Sequence, residues 1–229
     1  MTKESTLSPV EGSRPEQPAL RAVIAGATTE VGKTWTTASA AVQLRRAGMV
    51  VAAGKPAQSH ESGDVDTDVA VLANSTKERI PVVCRADREY PVAMTPPMTP
   101  SALGAPPFTV ADLVAELEWP RAGDAGLIES AGIHWPLTSD GDAVEPIGPV
   151  DAGAVVLDAD VGFEVINAAR LCLAALDPIR PIVVLDRLGS SNHLHCRNLA
   201  WCTGVDELGP LSPPEALAHH LAGPREDLR

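Results

Sequence analysis

The nine residues Gly26-Ala-Thr-Thr-Glu-Val-Gly-Lys-Thr34 have the composition and spacing to hold a phosphate. They follow a short apolar run, Ala22 to Ala25, and precede a stretch with helical periodicity, Trp35 to Arg46. Glycines let the backbone turn so that consecutive N–H groups face an anion, and a helix behind them adds the positive end of its dipole. Gly26, Thr28, Thr29, Glu30, Val31 and Gly32 would form such a cradle. Lys33 would reach the terminal phosphates as a point charge, and the Thr34 hydroxyl could ligate Mg²⁺. Five residues, Ala27 to Val31, separate the two glycines, one more than the usual four.

Three further groups could share this chemistry. Lys55 ends an apolar run and precedes Pro56-Ala-Gln-Ser59. Gly63-Asp-Val-Asp-Thr-Asp68 places Asp64, Asp66 and Asp68 in a polar loop before a helical stretch; they read either as Mg²⁺ ligands or as a solvated loop with a helix N-cap. Glu129 closes another apolar run and is followed by the small residues Ser130, Ala131 and Gly132. His193, His195, Cys196 and Cys202 do not have zinc-site spacing and read as a helix with buried thiols. His219-His220 reads as a solvated helix end, and no Gly-x-Ser-x-Gly elbow occurs.

Alternating strands and helices must position these residues. Apolar runs predict strands at 22–25, 50–54, 125–128, 154–157 and 181–185. Helical patterns cover 33–46, with Gly48 as C-cap, 69–73, 109–117 with Thr109 as N-cap, 165–176, 195–202 and 214–221. The proline-rich stretch 90–107 reads as a long, lid-like loop, and 135–150 as another loop. This order predicts a doubly wound α/β fold with a mostly parallel sheet and helices on both faces, of the P-loop NTPase type. Open α/β sheets bind ligands beyond the carboxyl ends of their strands, which puts Lys55 and Glu129 on the edge that carries the phosphate loop. Residues 1–19 read as a disordered tail and 20–229 as a single domain.

Composition narrows the partners. The chain has 229 residues with 45% hydrophobic and only 3% aromatic content, so its core must be aliphatic. A formal charge of -12 argues against non-specific nucleic-acid binding, while leaving a nucleotide ligand open. No apolar run is long enough to span a membrane, no signal peptide is legible, and the four scattered cysteines read as reduced thiols of a cytoplasmic protein.

The phosphate loop, with its five-residue spacing, resembles that of ATP-dependent dethiobiotin synthetases. Gly54-Lys-Pro-Ala-Gln-Ser59 is similar to that family's Lys-Pro-Val-x-Ser/Thr-Gly, and Gly63-Asp-Val-Asp66 to its acidic segment. Pro97-Met-Thr-Pro-Ser-Ala102 and Glu129-Ser-Ala-Gly132 match its later motifs, and Val183 to Arg187 lies where it has an apolar strand ending in Asn. The resemblance runs in order from about residue 20 to 221. It implies a reaction in which 7,8-diaminopelargonate takes up CO₂ as a carbamate, ATP phosphorylates the carbamate, and the second amine closes a cyclic urea. It further implies that Lys33, Lys55 and Thr29 serve catalysis and that Thr34, Asp66 (or Asp64) and Glu129 hold Mg²⁺. Ser59, Ser130, Ala131 and Gly132 would face the diamine, Asp186 would read the base, and the protein would be a homodimer.

Several positions depart from that pattern. His60, Ser130 and Ile133 stand where the family has glycine, so side chains reshape or block the substrate end. Asp186 replaces an Asn; a carboxylate only accepts hydrogen bonds and suits a guanine-like edge better than adenine. These departures leave a second reading, a paralogue that binds or hydrolyses a nucleotide as a regulatory switch without a diamine.

Overall fold

The computed structural model describes residues 17–119, 123–133, 137–159, 165–185, 197, 201 and 215–223. Five parallel strands form the central sheet: β1 (Leu20–Gly26), β2 (Val51–Gly54), β5 (Ala125–Gly132), β6 (Ala154–Ala159) and β7 (Ile182–Leu185), in the order β2-β5-β1-β6-β7. A separate two-stranded parallel ribbon pairs β3 (Gln58–Ser59) with β4 (Glu89–Tyr90). The helices are α1 (Lys33–Arg46), α2 (Asp68–Thr76), α3 (Ile80–Val83), α4 (Thr99–Leu103), α5 (Val110–Ala115), α6 (Val165–Leu176) and α7 (Glu215–Ala222).

Strand alternation divides the core into two layers. Val23, Ala25, Ile128, Val155, Leu157, Val183 and Leu185 point to one face, where α6 covers them with Val165, Ala169, Cys172 and Leu176. Ala22, Ile24, Leu127, Val156 and Val184 point to the other, against Ala40, Ala41 and Leu44 of α1 and Leu217, Ala218 and Leu221 of α7. Both faces of the sheet are therefore buried under helices, as a doubly wound parallel sheet requires. A third cluster, Ala53, Val69, Leu72, Ala73, Val83 and Cys84, seats α2 and α3 beside β2.

The elements follow the sequence pattern closely where the pattern is long. Helices 33–46 and 165–176 have the expected bounds. Gly48 follows α1 with φ 90°, the left-handed conformation that ends a helix without Cβ strain. Thr109 caps α5 through a reciprocal box with Asp112. Short elements differ from expectation. The proline-rich stretch 90–107 starts on β4 and contains α4, so it is not one long loop. β5 continues through Glu129 to Gly132, which places Glu129 within the strand instead of after it. The expected helix at 195–202, apart from Arg197 and Trp201, together with the His/Cys cluster, Asp186 and residues 1–16 of the expected tail, lies outside the described residues.

Gly126 of β5 shows how tightly one face is closed. A Cβ there would stand 2.4 Å from the ring of Trp119. Gly126→Ala should lower stability by about 1–3 kcal/mol through this overpacking. Urea denaturation checks it, and Trp119→Leu in the same chain should recover most of the loss.

Candidate functional site

The phosphate loop hangs between three strands. β1 pairs Ile24 with Glu129 and Gly26 with Gly132 of β5, with an irregularity between them, and pairs Gly26 with Asp158 of β6. The Ala27 N–H donates to the Asp158 carbonyl at 2.8 Å, and the Ile133 N–H donates to the Gly26 carbonyl at 3.1 Å. Gly26 must lack a side chain: a Cβ would meet the Thr28 carbonyl oxygen at 2.6 Å and the Val31 side chain at 2.9 Å. Val31 itself is buried beneath the loop. Glu30 and Gly32 both adopt left-handed backbone, at φ 58° and 114°, and so turn successive amides inward.

Gly32 caps α1 with no side-chain hydrogen bond to the first turn. No N-cap side chain thus serves the first-turn N–H groups, the kind of helix start that can meet an anion. Lys33, the first residue of α1, directs Nζ back towards the Thr28 carbonyl at 3.5 Å. Burial holds its ammonium below the usual lysine range, against the opposing pull of Glu129. Thr29, Glu30 and Lys33 line a cleft of about 710 Å³.

Beside the loop, Lys55 sits at the end of β2 with Nζ inside a ring of oxygens. It donates to Glu129 Oε1 at 2.6 Å and to Asp68 Oδ2, and the Thr34 hydroxyl donates to Glu129 Oε1 at 3.0 Å. The Glu129 side chain is fully buried, and its second oxygen, Oε2, has no hydrogen-bond partner among the described residues. Burial works to lower the Lys55 pKa, but Glu129 and Asp68 outweigh it and hold the ammonium above its ordinary value. Burial likewise works to raise the Asp68 pKa, and Lys55, with Thr34 and Lys33, holds it below.

Among the described residues no three His, Cys, Asp or Glu side chains are arranged around a metal position. The donor set is nevertheless hard oxygen: the Thr34 hydroxyl, Asp68 and the unpartnered Glu129 Oε2. Mg²⁺ is typically held by one or two carboxylates together with substrate phosphates and water, and these residues fit it.

The sequence-derived candidates distribute as follows. Gly26 to Thr34, Lys55 and Glu129 come together. Ser59, Ser130, Gly132 and Asp66 line the cleft, and the hydroxyls of Ser59 and Ser130 are buried without a described partner. Ala131 lies in β5 between them. Asp64 also lines the cleft, but it is Asp68, the first residue of α2, that reaches Lys55; Thr67 is the N-cap, through the Ala70 N–H. Ile133 is fully buried in the core beneath β5 and does not line the cleft, whereas His60 does. His60 Nδ1 lies 2.8 Å from the Glu61 carbonyl.

The buried ion pairs give a stability prediction. Lys55→Met leaves the Glu129 carboxylate unpaired in the interior and should cost about 3–5 kcal/mol near neutrality. Asp68 has a depressed folded pKa, so its pairing is in place above the ordinary 3.8 and is lost as pH falls through the folded value. Lys55 has a raised one, so its contribution is full below 10.5 and is lost as pH rises through the folded value. Denaturant melts across pH should therefore show the deficit of Lys55→Met widest between those limits and narrowing beyond each.

No family model matches the chain. Among curated relatives, the ATP-dependent dethiobiotin synthetase BioD of Saccharopolyspora erythraea is 34% identical over 206 residues, covering 86% of this chain and 88% of the relative. The ATP-dependent dethiobiotin synthetase BioD of Rhodococcus jostii is 31% identical over 200 residues, covering 82% and 84%. Among solved structures, a ParA family ATPase from Chlorobium tepidum superposes with a TM-score of 0.51 at 12% identity, covering 81% of each chain. The pNOB8 ParA bound to nonspecific DNA superposes with a TM-score of 0.52 at 17% identity, covering 88% of this chain and 78% of that one. The structural likeness establishes an α/β P-loop fold. The sequence relatives, together with the loop and lysine motifs in their order, place the chain in the ATP-dependent dethiobiotin synthetase family.

Proposed function

We propose that the protein is an ATP- and Mg²⁺-dependent cyclo-ligase that makes a cyclic urea from 7,8-diaminopelargonate and CO₂. One observation carries this reading: Lys55, with Glu129, Asp68 and Thr34 around it, stands next to the phosphate loop at the mouth of one cleft. A nucleotide switch needs the loop and a metal. It has no need of a second, buried lysine held by two carboxylates beside the loop.

The roles follow from charge and position. The loop amides, Lys33 and Thr29 hold the nucleotide's phosphates. Thr34, Asp68 and Glu129 would hold Mg²⁺, with Asp66 on the rim of the cleft, and the metal would supply charge neutralisation for the phosphates. One substrate amine adds to CO₂ and loses a proton to give a carbamate. Lys55 offsets the carbamate's negative charge and orients its oxygen towards the γ-phosphorus, which leaves ADP. The second amine then attacks the carbamoyl carbon, the C–O bond to phosphate breaks, and the urea ring closes with release of phosphate. The chain's contribution is positioning and electrostatic stabilisation, the usual means of phosphoryl transfer.

Ser59, Ser130 and Gly132 line the diamine's side of the cleft, with Ala131 between the last two in β5. The unpartnered Ser59 and Ser130 hydroxyls can accept its N–H groups. The buried position of Ile133 removes one of the obstacles expected there. The proposal extends to a cytoplasmic homodimer, as the family resemblance implies. Among the described residues no helix is long and apolar enough to cross a membrane.

Phosphate release should rise several-fold when 7,8-diaminopelargonate and bicarbonate are added together to protein, ATP and Mg²⁺. Absence of that stimulation, with nucleotide binding intact, would sink the proposal. Lys33→Ala should abolish nucleotide use. Lys55→Ala should keep nucleotide binding and lose about 100-fold or more in turnover, the scale for a preorganised electrostatic group.

A further inference from the structure

The ribbon strand β3 does more than bring Ser59 to the cleft. Gln58, 3% exposed, reaches from β3 to the amino end of α2, where its Oε1 accepts from the Val69 N–H at 2.9 Å. Its Nε2 donates to Glu89 Oε1 at 3.4 Å, so both partners require the same orientation of the amide. A helix's first N–H groups lack intrahelical acceptors, and Val69 is fully buried. Thr67 serves the Ala70 N–H, and the Val69 N–H is served from a strand eleven positions earlier in the chain.

The residue between those two capped amides and Thr67 is Asp68, whose carboxylate grips Lys55. β3 is itself tethered. The Gln58 N–H donates to the Arg88 carbonyl at 3.0 Å, and the His60 N–H to the Tyr90 carbonyl at 3.0 Å. Arg88 binds Glu116 through two bonds of 2.7 and 2.8 Å and lies 4.6 Å over the Phe108 ring. A continuous set of contacts thus runs from Glu116 through Arg88 and Gln58 to the turn that carries Asp68.

We propose that Gln58 is a positioning residue for the reaction: its side-chain amide fixes the first turn of α2, and through it the Asp68 carboxylate, relative to Lys55. Gln58 also borders the cleft, and in this role it acts through Asp68. The inference rests on the synthetase reading for its kinetic readout, though not for its structural one.

The test is a cycle of Q58L and D68N with the donor-swapped pair Q58E/E89Q, which restores an acceptor for the Val69 N–H and a donor facing it. Amide exchange at Val69, measured on the full chain without substrate, should quicken in Q58L and return to the wild-type rate in Q58E/E89Q, while β1 amides stay protected. In diamine-dependent turnover, Q58L should lower kcat about tenfold with KM for ATP unchanged, the scale for a residue that orients a ligating group. Q58E/E89Q should recover kcat, and Q58L added to D68N should cost nothing more. Fast Val69 exchange with wild-type kcat overturns the proposal. So does an equal further loss in the D68N background, which marks a general structural role. If wild-type protein shows no diamine-dependent turnover, the synthetase reading falls. The same cycle is then read on the Mg²⁺ concentration needed for nucleotide binding, where Q58L must again raise the requirement only when Asp68 is present.

Discussion

A carboxylate with no solvent exposure is the constraint around which the site is built. Glu129 sits inside the sheet layer, and an ionised group there costs several kcal/mol unless charge and hydrogen bonds compensate. Lys55 and Thr34 supply that compensation at one oxygen only. Lys55 must therefore follow directly on β2, Thr34 must lie in the first turn of α1, and both must flank β5. The strand order β2-β5-β1 meets that requirement, because it sets the last residues of β2 and the phosphate loop on either side of Glu129.

The same arrangement sets the electrical character of the cleft. The carboxyl groups of Asp68 and Glu129 face Lys55, with Lys33 nearby. Positive groups that would otherwise shed protons on burial are held ionised or close to it by carboxylates. Carboxylates that would otherwise be repelled by a polyphosphate stand ready to meet a divalent cation. Burial, ion pairing and nucleotide chemistry thus draw on one small group of side chains.

Much of this was legible in the sequence because the signals were either long or chemically specific. The twelve residues of α6 span several turns with clear apolar periodicity, and the fourteen of α1 are bounded by Gly-Lys-Thr at one end and Gly48 at the other. Gly26 to Thr34 and Lys55 were found by residue type, since few other patterns place Gly-Lys-Thr after an apolar strand. The two-residue strands β3 and β4 carry no period to read, and they form only because each finds the other thirty residues away. Asp68 was not separable from Asp64 and Asp66 by sequence. All three lie within a few residues of the same helix start, and the start of that helix at Asp68, capped by Thr67 and Gln58, is what sets Asp68 against Lys55. Gln58 had no signal of its own, because a buried amide is recognised by its partners and not by its neighbours in the chain.

The phosphate loop is tied to the sheet by main-chain groups: the Ala27 amide on the Asp158 carbonyl and the Ile133 amide on the Gly26 carbonyl. Such tethers are indifferent to the side chains at 133 and 158. A change of side chain at Ser130, which lines the cleft, can therefore alter the cleft wall while the loop keeps its anchorage. The geometry of the loop and the chemistry of the opposite cleft wall can thus be altered separately, because the one is held by main-chain groups and the other is made of side chains.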